Sequence, residues 1–203
     1  QKEISIKQGY PKNKIFVIPE GVDGNIFKPP SRSKKKNKFQ FVIVGRWDYR
    51  KGVKESIEGF LKAFPNNQNV ELLLNVENPF PVDGMNSTEE RLKYYNLEDN
   101  RIKILKFLNR KEYINLLQNS DALISCARSE GWNLPLIEAL ACGTPSIYTK
   151  CSGQLEFTKG KGLGVEVLGE EPATNNENLS YEHNIPGNFY TPDFNSLVNR
   201  IKD

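Results

Sequence analysis

Two carboxylates and two cations stand at spacings that could do chemistry in this chain. Glu130 and Glu138 have seven residues between them, and Arg46 and Lys51 have four. Residues 129–145 read as a loop entering a short helix. Gly131 and Asn133 tolerate unusual backbone angles. Pro135 suits a first helical turn, where its missing N–H costs nothing, and Gly143 followed by Pro145 is a stop signal. Leu136, Ile137, Leu140 and Ala141 are apolar, so the helix is expected to be buried on most sides. Glu138 falls one turn past Leu134 and shares its face, while Glu130 sits in the loop before the helix. Two carboxylates thus flank a helix N-terminus, whose free N–H groups favour an anion. The residues alone fit either a binding site or a solvated Glu138 on an ordinary packed helix.

Arg46 and Lys51 belong to the loop Gly45-Arg46-Trp47-Asp48-Tyr49-Arg50-Lys51-Gly52. Arginine suits bidentate phosphate contact and lysine supplies a point charge. Three spaced glycines are missing, which argues against a nicotinamide enzyme, and Lys51 is followed by Gly52 rather than Ser or Thr, which excludes a P-loop. Taken alone, the pair fits phosphate contact and solvated loop cations equally well.

The elements that must hold these residues alternate. Residues 39–44 form an apolar run expected to be a strand buried on both faces. A helix over 53–64 follows, then a strand over 70–75. Ser87 to Glu90 read as a capping box opening a helix that reaches about Tyr95. A strand over 102–107, a helix from Asn109 to Gln118 and strands over 122–125 and 145–149 complete the series. Such alternation predicts a Rossmann-like α/β domain of three layers around a parallel sheet with right-handed crossovers. Ligands bind such sheets at the carboxyl ends of the strands. Residues 15–18 are a further strand candidate. Gly160 to Gly164 read as a turn and 165–167 as a short edge strand, with a long loop over 170–186. Thr191-Pro192-Asp193 reads as a helix start.

Composition narrows the classes. The chain has 203 residues, 37% hydrophobic, with a net charge of +3. It carries no apolar run of membrane-spanning length and no signal-peptide pattern. Arg32, Lys34, Lys35, Lys36 and Lys38 supply the basic excess, so it is one local run, which reads as a solvated linker or as an anionic-membrane contact. A nucleic-acid binder would rest on that run alone. Cys126, Cys142 and Cys151 are odd in number and lack metal-ligand spacing; reduced thiols in a cytoplasmic protein are the expectation. His183 is the only histidine, which removes a His-rich metal site, and it reads as ordinary surface. Asn86-Ser87-Thr88 and Asn178-Leu179-Ser180 match glycosylation acceptors, of a kind common by chance.

The two constellations together resemble the retaining, GT-B-fold glycosyltransferases of family 4. Glu-Gly-Trp-Asn-Leu-Pro-Leu-Ile-Glu-Ala is similar to that family's acidic motif, with Trp132 for Phe and Asn133 for Gly. Gly-Arg, four residues, then Lys-Gly looks like its diphosphate-binding loop. Gly153 and Glu156 keep part of a Gly-Gly-x-x-Glu loop, with Ser152 in place of the first Gly. Residues 19–30 resemble the hinge between the two domains, with Glu20 for the usual Asn. The resemblance covers about residues 15–167.

It implies the C-terminal, donor-binding half of a GT-B fold, with residues 1–38 a hinge and linker and 39–203 the domain. An N-terminal acceptor-binding domain would precede Gln1. It implies a sugar transfer with retention from a nucleotide sugar, UDP- or GDP-linked. Arg46, Lys51 and Glu130 would be catalytic, the cations holding the diphosphate and Glu130 touching the sugar. Glu138 would accept from ribose hydroxyls. Gly45, Gly131, Trp132, Asn133 and Leu134 would line the donor, with the base near Phe107 and Leu108. Arg50 matches no invariant role. With no Asp-x-Asp pair in the chain, neither metal nor separate cofactor is expected. The expected location is cytoplasmic, with peripheral membrane contact left open for the full-length protein, and nucleic acid is not an expected partner. The alternatives are a non-catalytic nucleotide-sugar-binding module and another GT-B enzyme, such as a sugar-nucleotide epimerase.

Overall fold

A computed structural model describes residues 2–31, 36–173 and 187–203. In chain order the elements are α1 (Lys2–Lys7), β1 (Phe39–Val44), α2 (Val53–Ala63), β2 (Val70–Asn75), α3 (Thr88–Tyr94), β3 (Ile102–Ile104) and α4 (Arg110–Asn119). There follow β4 (Ala122–Ser125), α5 (Leu134–Ala141), β5 (Ser146–Thr149), α6 (Leu155–Thr158), β6 (Leu163–Val165), β7 (Val167–Pro172), β8 (Asn188–Pro192) and α7 (Phe194–Lys202).

β1 to β6 form one parallel sheet in the order β3-β2-β1-β4-β5-β6. The alternating side chains of its strands feed two cores. Phe41, Ile43, Ala122, Ile124 and Ile147 face one cluster, packed with Ile57 and Phe60 of α2 and Leu197 and Ile201 of α7. Val42, Leu123 and Tyr148 face the other, with Leu117 of α4 and Leu136 and Ala139 of α5. The domain is therefore three-layered, as the alternation of elements predicts. Phe27 is buried in the second cluster and meets Tyr113 edge-on at 6.3 Å.

The strand order reverses between β1 and β4. From β1 the chain winds outward to β3, then returns to β4 and winds the other way. Such a reversal opens a crevice at the carboxyl ends of the two central strands. The loops leaving those ends are 45–52 and 126–133.

Several expectations fail, each for a physical reason. Residues 15–18 join no sheet; Phe16 and Ile18 are exposed and find no partner strand among the described residues. β3 stops at Ile104, and Phe107 is 86% exposed beyond it. The region read as a loop from 170 begins inside β7, which pairs antiparallel with β8 as a separate two-stranded ribbon. Pro192 closes β8 rather than opening α7, whose N-cap is Asp193, with its carboxylate accepting from Asn195 and Ser196. The Ser87 cap is real, but the Glu90 side chain reaches back to the Asn86 amide, one residue further than a capping box requires. The full box is at Asn109 and Glu112. His183, Asn178 and most of 170–186 lie outside the described residues.

Candidate functional site

The loop after β1 is folded by a buried carboxylate. Asp48 Oδ1 accepts the Lys51 amide at 2.7 Å, and its Oδ2 lies 3.4 Å from Arg46 Nε. Gly52 then turns the chain into α2 with φ 61°, and a Cβ there would stand 2.1 Å from the Cys126 carbonyl oxygen. Only glycine fits, because both the backbone angle and the space forbid a side chain. The loops after β1 and β4 therefore touch backbone to backbone.

The loop after β4 carries Glu130 into that junction. Its Oε1 accepts from Lys51 Nζ at 2.6 Å, and Arg50 NH1 lies 3.2 Å from its Oε2. Only 8% of the Glu130 side chain is exposed. A carboxylate so enclosed needs compensation, and two cations supply it. Arg46 stands apart from this cluster, 42% exposed and turned toward Asp48.

A third loop, after β5, closes the junction. The Glu130 amide donates to Ser152 Oγ at 3.1 Å, and the Gly153 amide to the Glu130 carbonyl at 3.2 Å. Ser152 takes a left-handed φ of 51°, the conformation glycine would adopt most readily, and its hydroxyl secures the glutamate backbone. A Cβ on Gly153 would fall 1.9 Å from the Gly131 carbonyl oxygen.

α5 starts as its sequence indicates, with one correction. Asn133, not Gly131, is the left-handed residue, at φ 72°. Its buried side chain explains the choice: Nδ2 donates to Ser125 Oγ at 3.0 Å and to Gln154 Oε1 at 2.6 Å. Glycine could make the turn but not these bonds. Gly131 and Leu134 are exposed at the mouth. Trp132 lies 5.2 Å from the Phe157 ring, and its buried indole nitrogen has no acceptor. At the other end Gly143 adopts φ 79°, with paired 143→140 and 144→139 bonds closing the helix. Only Leu136 and Ala139 of α5 are fully buried, fewer than its apolar sequence suggests.

Glu138 sits in different surroundings. Its Oε2 accepts from the Tyr113 hydroxyl of α4 at 2.6 Å. Burial raises the carboxyl above its ordinary range, partly offset by the Tyr113 bond and by Arg110. Burial also lifts the Tyr113 phenol, and Glu138 lifts it further. The thiols are inert by comparison: all three are free and buried, and burial pushes Cys126 up to about 12 and Cys142 up to about 11.

The structure thus joins Lys51 with Glu130 and sets Gly45 beside Lys51; it leaves Arg46 outside that pair, against Asp48, while Phe107 and Leu108 lie in the loop between β3 and α4. The sequence reading missed Asp48, Arg50, Tyr113 and Ser152 as partners of these residues. Ser152 alone carried a signal, as a substitution at a position expected to be glycine. Among the described residues no group of three or more His, Cys, Asp or Glu could hold a metal ion, and no helix is long and apolar enough to cross a membrane.

Residues 25–172 match the family model described as glycosyl transferases group 1. The chain is 32% identical over 164 residues to the Escherichia coli UDP-Gal:alpha-D-GlcNAc-diphosphoundecaprenol alpha-1,3-galactosyltransferase, covering 75% of this chain and 41% of that one. The crystal structure of the C-terminal domain of a group 1 family glycosyl transferase from Francisella tularensis superposes with a TM-score of 0.60 at 25% identity, over 72% of this chain and 80% of that one. The Anabaena protein HepE, solved in complex with UDP and glucose, shares the fold at a TM-score of 0.62 and 20% identity, over 81% and 46% of the two chains. The chain spans about a third to two fifths of the length of the curated relatives it matches.

Proposed function

The chain belongs to the group 1 glycosyl transferases, and on that premise we propose that residues 39–203 are the donor-binding domain of an enzyme that moves a sugar from a UDP- or GDP-linked donor with retention of configuration. The observation that carries the reading is the Lys51–Glu130 pair at the sheet's reversal point, beside the N-terminus of α5. Arg46 and Lys51 hold the diphosphate there. The N–H groups at the start of α5, near Trp132, Asn133 and Leu134, add a fixed positive end. Charge grows on the diphosphate as the glycosidic bond breaks, and preorganised cations stabilise that charge without reorganising. No metal is needed for this step.

Glu130 faces the sugar and Glu138 accepts from the ribose hydroxyls, its oxygens aimed by Tyr113. The base lies along Phe107 and Leu108, and Gly45 and Gly131 let the donor approach backbone. Glu130 and the diphosphate compete for Lys51, so the lysine passes from one anion to the other as the donor enters. The acceptor site belongs to an N-terminal domain joined through residues 1–38. The enzyme works in the cytoplasm, with peripheral membrane contact open to the whole protein.

A thermal-shift series with UDP, GDP, ADP and CMP sugars tests this. A donor at 100 times its dissociation constant should stabilise the chain by about 2.7 kcal/mol. No shift from any of them at millimolar concentration would remove the donor site. Donor binding by a full-length protein that transfers nothing would favour a non-catalytic binding module.

A further inference from the structure

The β7–β8 ribbon lies outside the six-stranded sheet, yet a buried arginine fastens it to the site loops. Arg128 precedes Glu130 by two residues, and only 7% of its side chain is exposed. Its NH2 donates to Glu55 Oε1 of α2 at 2.7 Å. Its guanidinium carbon lies 4.1 Å from the centre of the Tyr49 ring, and its Nε 3.7 Å from Glu171 Oε1 of β7. The Tyr49 hydroxyl donates to that same Glu171 oxygen at 2.6 Å. The Tyr49 ring also packs against Phe189 of β8 at 6.1 Å. Two backbone bonds complete the joint: the Arg128 amide donates to the Arg50 carbonyl at 2.7 Å, and the Tyr190 amide to the Arg128 carbonyl at 3.0 Å.

Nε and NH1 of Arg128 are buried without a hydrogen-bond acceptor. A buried ion pair seldom repays its own desolvation, so stability alone accounts poorly for such a group. Fixing of position accounts for it better. Tyr49, Arg50 and Lys51 are consecutive, and Arg128 grips the first by its ring and the second by its carbonyl. The two cations that follow from this grip are the ones paired with Glu130.

We infer that Arg128 is a positioning residue for the diphosphate loop, and that the β7–β8 ribbon is part of its mounting, so that Glu171 and Phe189 set how Arg50 and Lys51 face Glu130. The inference rests on the proposed role of the 45–52 loop in holding the donor. Lysine at position 128 could still pair with Glu55, but it lacks the plane that stacks on Tyr49 and the fork that reaches toward Glu171.

The test uses Arg128→Lys and Glu171→Gln, singly and together, in the 203-residue chain. Glu171 lies on the ribbon, away from both cores, so its substitution spares the fold. Amide hydrogen exchange at Lys51 and Arg128 is read without ligand, and affinity is read by titration with UDP and with GDP. Each single variant should speed exchange at the Lys51 amide and weaken nucleotide binding about 3- to 10-fold, as loss of one hydrogen bond or ion contact does. The melting temperature should stay close to wild type. The double variant should lose little more than the worse single one, because the groups act as one joint.

Unchanged Lys51 exchange in both variants would overturn the inference, as would faster exchange spread evenly over β1, β2 and β4. Multiplying losses in the double variant would overturn the single joint. Should neither nucleotide bind the wild-type chain, the donor-binding reading fails, while the exchange rates still decide whether the ribbon mounts the loop.

Discussion

Glu130 and Glu138 are the same residue type on the same short stretch of chain, yet the fold treats them as different chemical objects. Glu130 is enclosed by Lys51 and Arg50, and its backbone is pinned by Ser152 and Gly153 of the loop after β5. Glu138 is half-buried, and among the described residues the only hydrogen-bond partner of its carboxylate is a neutral phenol. One carboxylate is held between two cations; the other is held as a hydrogen-bond acceptor whose charge burial opposes. The difference comes from what other elements bring to each position. Spacing within a motif fixes where two carboxylates stand, and non-local partners decide what each can do.

The contrast can be broken most severely through backbone. Gly52→Ala should cost about 4 kcal/mol of stability, near the limit for single substitutions, because its Cβ meets a carbonyl at 2.1 Å and φ is left-handed. Denaturant melts measure this directly, and a loss below about 1 kcal/mol would mean that the loops are free to separate.

Lys51→Met should weaken nucleoside diphosphate binding by about 3 kcal/mol, the upper range for a charge-assisted contact. Calorimetry checks it, and an affinity unchanged within error would take Lys51 out of the site.

Conversion of each glutamate to glutamine sharpens the comparison. Glu138→Gln should cost about 1.5–3 kcal/mol in nucleotide binding. Glu130→Gln should leave that binding unchanged or tighten it, since Lys51 and Arg50 are then released from a competing anion. Equal losses in both variants would erase the distinction drawn above.

Glu138 should also make stability depend on pH. Burial raises the Glu138 carboxyl, so the native state binds its proton more tightly than the unfolded chain does. Stability then falls as pH climbs from the ordinary carboxylate value of about 4.3 through the raised one. Glu138→Gln should therefore melt higher than wild type at pH 7 and level with it at pH 4. A difference that is the same at both pH values would contradict this.

The smallest effect expected is from Tyr113→Phe, about 0.5–1.5 kcal/mol in nucleotide affinity through loss of one hydrogen bond. Glu130-dependent properties should not move; if they do, the two ends are coupled through the α4–α5 face.

How far the sequence could be read follows the same division between local and distant. β1, β2 and β4 were legible to the residue because each is a mostly apolar run, broken only by Gln40 in β1, by Glu71 and the terminal Asn75 in β2 and by the terminal Ser125 in β4. The α4 cap was legible because both of its partners lie within three residues. The ribbon was not, since β7 is polar and its partner β8 begins sixteen positions later. Residues 15–18 failed in the opposite sense, having strand-like composition and, among the described residues, no strand to pair with. In the site, Arg46, Lys51, Glu130 and Glu138 could be picked out by spacing and resemblance. Tyr113 and Arg128 could not, because a tyrosine and an arginine are unremarkable until a distant element presents the atoms that they hold; Asp48 went unread although its partners, Arg46 and the Lys51 amide, lie within three residues of it.

The sheet's two margins have a practical consequence. β3 and β6 contain three residues each, Lys103 stands exposed in the middle of β3, and Gly164 interrupts β6. An edge so short and so marked offers little template for a strand from another molecule. The main sheet should accordingly contribute little to intermolecular β-association, and any that light scattering detects at the high concentrations used for calorimetry should trace to the β7–β8 ribbon rather than to β3 or β6.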